Sequence, residues 1–398
     1  MTPGDAGAPA AESPPPLAGI AVLDLSRLLP GPFASLVLSD LGARVDKIED
    51  TGSGDYLRVA PPLVGDTSAI FLALNRNKRS ACLDLKNERA RDVFLKLLQS
   101  YDVLLEQFRP GVLDRLGLGH PALLEKNPRL VVCALTGYGQ NGPLSARAGH
   151  DLNYLARSGV LAMQGPPDAP PQVPGFQLAD IGGGLWSVLG ILAALHGRTR
   201  TGRGGVVDVA MLEASMGFAS YGLGQMLAGH IAARGADALT GGLALYGTYE
   251  TKDGRYVALG ALEPKFWTAF CAGVGLEADM SAFFVGPHQA ALKDKLRDVF
   301  VSRSRQDWED FGRHHDCCLE PVLEPRELRD DEHLRARGVF FEIDSPWGRI
   351  GQIRTPVTQP GAHHAPPPRR GEHTDVILRE AGIDEATIAA LRAEGAAR

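Results

Sequence analysis

From Gly19 onward, short apolar runs alternate with amphipathic stretches of helical length. Ile20 to Leu25, Arg44 to Ile48, Ala81 to Leu85, Val103 to Phe108 and Leu130 to Leu135 read as strands, with Phe33 to Leu41 and Glu88 to Leu98 as helices between them. A strand, a helix and a further strand imply parallel pairing, with helices laid over both faces of the sheet. The first half therefore predicts a doubly wound α/β domain.

A Pro-rich loop at 165–175 precedes Gly182 to His196, where Leu185, Val188, Leu189, Leu192 and Leu195 recur at helical spacing and are expected to face a core. Another helical pattern is read from Val207 to near Gly229. The texture then changes. Tyr246 to Glu250, a Lys252-Asp253-Gly254 turn and Tyr256 to Leu259 predict a β-hairpin that opens a smaller domain, with helices at Phe266 to Val274 and Ala291 to Val301. Past Val322 the chain reads as extended and Pro-rich until a last helix, Asp384 to Glu394, and is expected to pack back on the first domain. The division that follows is a tail over 1–16, a large domain over 17–225, a small α+β domain over 226–330 and a C-terminal segment over 331–398.

Composition narrows the function. At 398 residues the chain exceeds what one hydrophobic core normally supports, which agrees with two domains. A formal net charge of −6 without a polybasic run argues against a nucleic-acid partner. The cysteines, Cys82, Cys133, Cys271, Cys317 and Cys318, are odd in number, scattered and without Cys-x-x-Cys spacing. Neither a disulfide framework nor a metal site is expected, and a reducing cytoplasm is the expected location. Residues 1–16 are Ala/Pro/Gly-rich with no basic or apolar region of a secretion signal, and read as a flexible tail. The apolar run Leu185 to Leu195 is shorter than a membrane span, so no membrane partner is expected.

Three segments set an ionisable side chain beside glycine: Gly149-His150-Asp151-Leu152-Asn153-Tyr154, Asp180-Ile181-Gly182-Gly183-Gly184, and Gly260-Ala261-Leu262-Glu263-Pro264. Taken singly, Asp180 reads as a helix N-cap, His150 as a satisfied polar residue and Glu263 as a loop acid. The three glycines after Asp180 favour a close-approaching ligand, and together the three side chains point to proton transfer. Gly137-Tyr138-Gly139-Gln140-Asn141-Gly142 matches G-x-G-x-x-G, but no helix begins inside it and no acid follows at the dinucleotide spacing. A turn at the carboxyl end of a strand is the reading we adopt for it.

At these residues the chain resembles the α-methylacyl-CoA racemases within the family III, formyl-CoA transferase-like, CoA-transferases. The likeness is carried by Leu17-Ala18-Gly19-Ile20, Leu38-Ser39-Asp40-Leu41-Gly42-Ala43, Asn75-Arg76-Asn77-Lys78-Arg79-Ser80, Phe108-Arg109-Pro110-Gly111-Val112, Gly149 to Tyr154 and Gly182-Gly183-Gly184. It implies a Rossmann-like large domain with a small domain, two chains threaded as interlocked rings, and a site where one subunit's large domain meets the other's small domain. It implies an acyl-CoA substrate, with CoA part of the substrate and no separate cofactor. His150 and Asp180 then stand on opposite faces of the α-carbon, with Glu263 beside the histidine. CoA contacts are implied for Lys47, Leu83, Asp84, Lys86, Phe108, Arg109, Arg115, Gly149, Asp151, Asn153 and Tyr154.

Two departures accompany the resemblance. Lys47 stands where an arginine is usual, and Thr240-Gly241-Gly242-Leu243-Ala244 replaces an Asp-Gly-Gly-Ala-Pro segment. The Glu263 segment occupies the place where the transferases usually carry a glycine-rich loop, which favours racemisation by proton transfer through an enolate. The alternative is CoA transfer with Asp180 as nucleophile; an acyl-CoA-binding protein without activity stands further off, since His150 and Asp180 are both present. Backbone N–H groups at the start of the Gly182 helix, or near Asp151, are the expected donors to the enolate oxygen.

Overall fold

The computed structural model describes residues 14–231, 233–358 and 362–398, so most of the tail read over 1–16 lies outside the described residues. Six strands form one sheet: β1 (Ala21–Asp24), β2 (Arg44–Glu49), β3 (Lys78–Cys82), β4 (Val103–Glu106), β5 (Val131–Thr136) and β6 (Gly205–Ala210). Every pairing is parallel, in the order β3-β2-β1-β4-β5-β6. This is a mixed α/β fold on a parallel central sheet. The order reverses between β1 and β4, and in such sheets a ligand crevice opens outside the carboxyl ends of the strands at that reversal.

The sixth strand corrects the helix read from Val207. Val206, Val207 and Val209 are β-branched and stiff at χ1, which suits a pleated strand better than a helix interior. Helical structure begins only at Met211 and runs as Met211–Phe218 and Ser220–Leu227. The stretch expected to be irregular beyond Val322 also holds more order. Phe340–Ser345 and Gly348–Ile353 pair as a hairpin, and a helix spans Thr374–Glu380 before the last one at Glu385–Ala393. Buried Arg76 grips Asp40 and Gln352, which fixes this hairpin to the sheet's own unit.

Contacts divide the chain into two units. One comprises Met1–Tyr154, Gln177–Ser215 and Glu332–Arg398; the other comprises Leu155–Phe176 and Met216–Asp331. The partition departs from a continuous 17–225 span, because Leu155–Phe176 sorts with the later residues. The second unit holds a three-stranded antiparallel sheet with Tyr256–Gly260 at its centre, flanked by Tyr246–Glu250 and Leu319–Pro321. Its core stacks Trp267, Phe270, Phe300 and Trp308.

In the first unit, helix α1 (Pro30–Asp40) packs against helix α4 (Leu178–Thr201), which also lies on β5 and β6. Between them in sequence come α2 (Glu88–Leu97) and α3 (Asp151–Arg157). The α4 glycines explain the close approach. A Cβ on Gly184 would stand 2.8 Å from the Pro30 carbonyl oxygen, and one on Gly183 would stand 2.7 Å from Met211 Cγ. Gly183 and Gly184 thus serve helix packing, a role beyond the ligand approach read from sequence. Two of the leucines expected in the core, Leu185 and Leu189, are exposed at 38% and 55% beside exposed Trp186, while Val188 and Leu195 are buried. By length and composition α4 is the one helix among the described residues that could cross a membrane, longer than its central apolar run suggested. Its packing on α1, β5 and β6 is that of a core helix.

Two glycines of this helix separate the effects. Gly197 has open space around its absent Cβ. Gly197→Ala is therefore expected to raise stability by about 0.5–1 kcal/mol through helix propensity. Gly184→Ala is expected to lower it by about 1–3 kcal/mol through overpacking against backbone. Thermal melts of the two variants check the opposite signs.

Candidate active site

A cavity of about 1070 Å³ opens at the carboxyl ends of β1 to β5 and is lined wholly by the first unit. Known ligand sites occupy roughly 300–1,000 Å³, so a long ligand fits. Its floor is a buried charge network. Asp24, the last residue of β1, accepts the Ser26 N–H at 2.8 Å and the Ser35 hydroxyl at 2.6 Å. Burial alone would raise its pKa, but Lys47, Lys78 and these hydroxyls outweigh it and hold it low. Glu49 binds Arg58 through both oxygens and takes the Asp55 N–H, anchoring the loop after β2. Asp55 in turn takes the Leu28 N–H at 3.0 Å, which holds Leu28 in the left-handed region at φ 64°. Strain of this kind persists only where the surroundings over-determine it, and it shapes the loop that follows β1.

Lys47 belongs to this floor. Its ammonium lies 3.0 Å from Asp55 Oδ2 and donates to the Ser26 carbonyl at 2.5 Å, and the side chain is fully buried. Burial would depress its pKa, yet Asp55, Asp24 and Glu49 reverse the shift and raise it. The phosphate contact implied for Lys47 by the resemblance is therefore replaced by buried pairing. Five other cations face the cavity: Arg27, Lys86, Arg109, Arg115 and Arg147. Among the described residues none of them pairs with a carboxylate, while Arg27 lies 4.7 Å above the Tyr56 ring. A ligand with several phosphates would supply the missing anions. Arg27, Tyr56 and Arg147 were not singled out from sequence, although Arg27 directly follows a predicted strand.

Leu83, Asp84, Lys86, Phe108, Arg109, Arg115, Gly149, His150, Tyr154 and Asp180 all line this one cavity. Two neighbours do other work. Asn153 Oδ1 accepts the His150 N–H at 3.0 Å. Asp151 Oδ1 accepts the N–H groups of Ala179 at 2.7 Å and Asp180 at 3.0 Å, so the cap of α4 is Asp151 and not Asp180. That occupies two of the helix-start donors proposed for an enolate oxygen. The N–H groups of Asp151 and Leu152, at the start of α3, meet no acceptor among the described residues and remain as donors. Glu263 lies in the second unit, where it is exposed just before the helix Pro264–Val274.

Asp180, in the first turn of α4, is pushed up to about 7, chiefly by burial and then by the charge of Asp151. Acid and base groups work best with a pKa near the operating pH. The His150 imidazole makes no hydrogen bond among the described residues. The Gly137–Gly142 turn carries left-handed Gly139 and Gly142 and leads to no helix before Asp151, as suits a loop and not a dinucleotide site. No cluster of three or more His, Cys, Asp or Glu side chains with metal-holding geometry occurs among the described residues.

The chain belongs to CoA-transferase family III, whose model matches residues 17–374. It is 39% identical to the alpha-methylacyl-CoA racemase of Homo sapiens over 95% of this chain and 96% of that one. It is 31% identical to the succinyl-CoA:glutarate CoA-transferase of Homo sapiens over 92% of this chain and 86% of the other. Against the acetyl-CoA:oxalate CoA-transferase of Acetobacter aceti the identity is 33%, over 93% and 97%. A solved CAIB/BAIF family protein from Brucella suis superposes with a TM-score of 0.80 at 30% identity, covering 93% of this chain and 100% of that one.

A carboxyl whose folded pKa exceeds its unfolded value contributes fully to stability only below the unfolded value, here 3.8, and loses that contribution as pH rises through about 7. Asp180→Asn removes the penalty. Its thermal stability relative to the natural chain is expected to grow as pH rises and to level off above about 7. A difference that stays flat with pH contradicts the burial of this carboxyl.

Proposed function

We propose that this protein interconverts the (R) and (S) forms of 2-methylacyl-CoA thioesters by moving a proton across the α-carbon through an enolate. The observation that carries the reading is the shared cavity of His150 and Asp180, with Asp180 pushed up to about 7. Racemisation needs an acid and a base on opposite faces that exchange roles with direction. An aspartate that titrates near neutrality and an unencumbered imidazole meet that requirement. The likeness to racemases at 39% identity supports the same reading.

A thioester α-proton is a weak acid, so charge on the enolate oxygen must be stabilised as it develops. We assign this role to the N–H groups of Asp151 and Leu152 at the start of α3, which meet no acceptor among the described residues; one such donor contributes roughly 10²–10³ in rate. The five unpaired cations hold the phosphates of CoA, remote binding that orients the reacting carbon. By resemblance, Glu263 stands beside His150 of the partner chain in an interlocked homodimer and orients its imidazole. Exposed Leu185, Trp186 and Leu189 on α4 are consistent with a surface covered by a second chain.

The transferase relatives supply the second reading, in which Asp180 attacks the thioester and CoA passes to another acid. Incubation of a single-epimer 2-methylacyl-CoA in D₂O decides. Deuterium is expected at the α-carbon with no acceptor acid present, and either Asp180→Asn or His150→Gln is expected to abolish epimerisation. Exchange that never appears, together with hydroxylamine capture of an enzyme-bound acyl group, assigns the chain to the transferases. Arg109→Ala is expected to raise the KM for acyl-CoA about tenfold, the scale of one charge-assisted hydrogen bond; an unchanged KM removes Arg109 from phosphate binding.

A further inference from the structure

One peptide group in the cavity is held from both sides. The carbonyl of Gly149 and the N–H of His150 belong to the same planar unit. Tyr154 Oη donates to that carbonyl at 2.5 Å, and Asn153 Oδ1 accepts that N–H at 3.0 Å. The next carbonyl, of His150, accepts the N–H groups of Asn153 and Tyr154. With its flanking peptides pinned, His150 is left little freedom beyond its own side-chain torsions.

The Tyr154 ring is itself clamped. It is buried, and it meets the Tyr138 ring edge-on with centroids 5.2 Å apart. A Cβ on Gly149 would stand 2.7 Å from its Cε1, and one on Gly137 would collide with the same ring. Both glycines are therefore shaped to this one side chain, which ties the exit of β5 to the turn that carries His150. Burial, with a further contribution from the charge of Asp180, pushes the phenol up to about 12, so its single proton stays in place and is committed to Gly149.

We propose that Tyr154 is a positioning residue that sets the imidazole of His150 on its face of the substrate, acting through the Gly149 carbonyl and not on the substrate. This deepens the two-base reading above and rests on it. Tyr154→Phe keeps the ring and deletes the hydroxyl. Deuterium wash-in at the α-carbon is measured for each epimer separately, and His150→Gln identifies the epimer whose proton the histidine removes.

In Tyr154→Phe, exchange of that epimer is expected to fall at least about tenfold more than exchange of the epimer served by Asp180. Equal loss for both epimers, or loss for neither, overturns the proposal. A natural enzyme that exchanges neither epimer overturns the two-base reading instead. A second readout needs no turnover: the ring resonance of His150, assigned by its absence in His150→Gln, is expected to broaden or split in Tyr154→Phe, and an unchanged line also overturns the proposal.

Discussion

A single carboxylate oxygen ties the two halves of this site together. Asp151 Oδ1 takes the N–H groups of both Ala179 and Asp180, so the turn that carries His150 cannot move without the start of the helix that carries Asp180. Hydrogen bonds to a charged acceptor contribute about 1.5–3 kcal/mol each, and the start of a helix rewards negative charge further. The same oxygen has a second effect. Its charge adds to burial in keeping Asp180 protonated up to near neutrality. One contact thus fixes the position of Asp180 and adds to the effect of burial on its acidity.

Beneath that contact the fold supplies rigidity in two ways. Asp24 at the carboxyl end of β1, Lys47 inside β2, Asp55 in the loop after β2 and Lys78 at the start of β3 are buried together and pair with one another and with the turns around them. Breaking one partner of such a set leaves an uncompensated charge, a cost of about 3–5 kcal/mol, so the cavity floor resists rearrangement. Above it, the glycine face of α4 lets the helix sit directly on the α1 backbone and on Met211. The glycine face of the helix that presents Asp180 is thereby held against α1 and Met211.

Much of this was legible in the residues. Five strands of the parallel sheet stood out as short segments interleaved with helical patterns, the third lying three residues earlier than read, at Lys78–Cys82, and the hairpin at Tyr246 announced itself through its Asp-Gly turn. The sixth strand did not, because Met211 and Leu212 continue its apolar run straight into a helix and periodicity alone cannot divide them. The role of Lys47 was also hidden, although a signal existed: Asp46, Lys47 and Glu49 are charged positions inside a strand of a sheet covered on both faces, and such charges must find partners. Asp151 and Asn153 looked like ligand contacts from their place in the motif. Their capping roles depend on which N–H groups come within reach, and that is settled only in three dimensions. Arg27 directly follows a predicted strand, and the strand-end rule was the available clue to it, while Arg147 lies too far along its loop for that rule.

The account turns on where the α-carbon lies. A crystal structure with a bound 2-methylacyl-CoA measures this directly. The account predicts the α-carbon between the His150 imidazole and the Asp180 carboxyl, each within about 3.5 Å, with the thioester oxygen at the Asp151 and Leu152 N–H groups. A complex in which Asp180 instead faces the thioester carbonyl carbon, with His150 turned away, would contradict it.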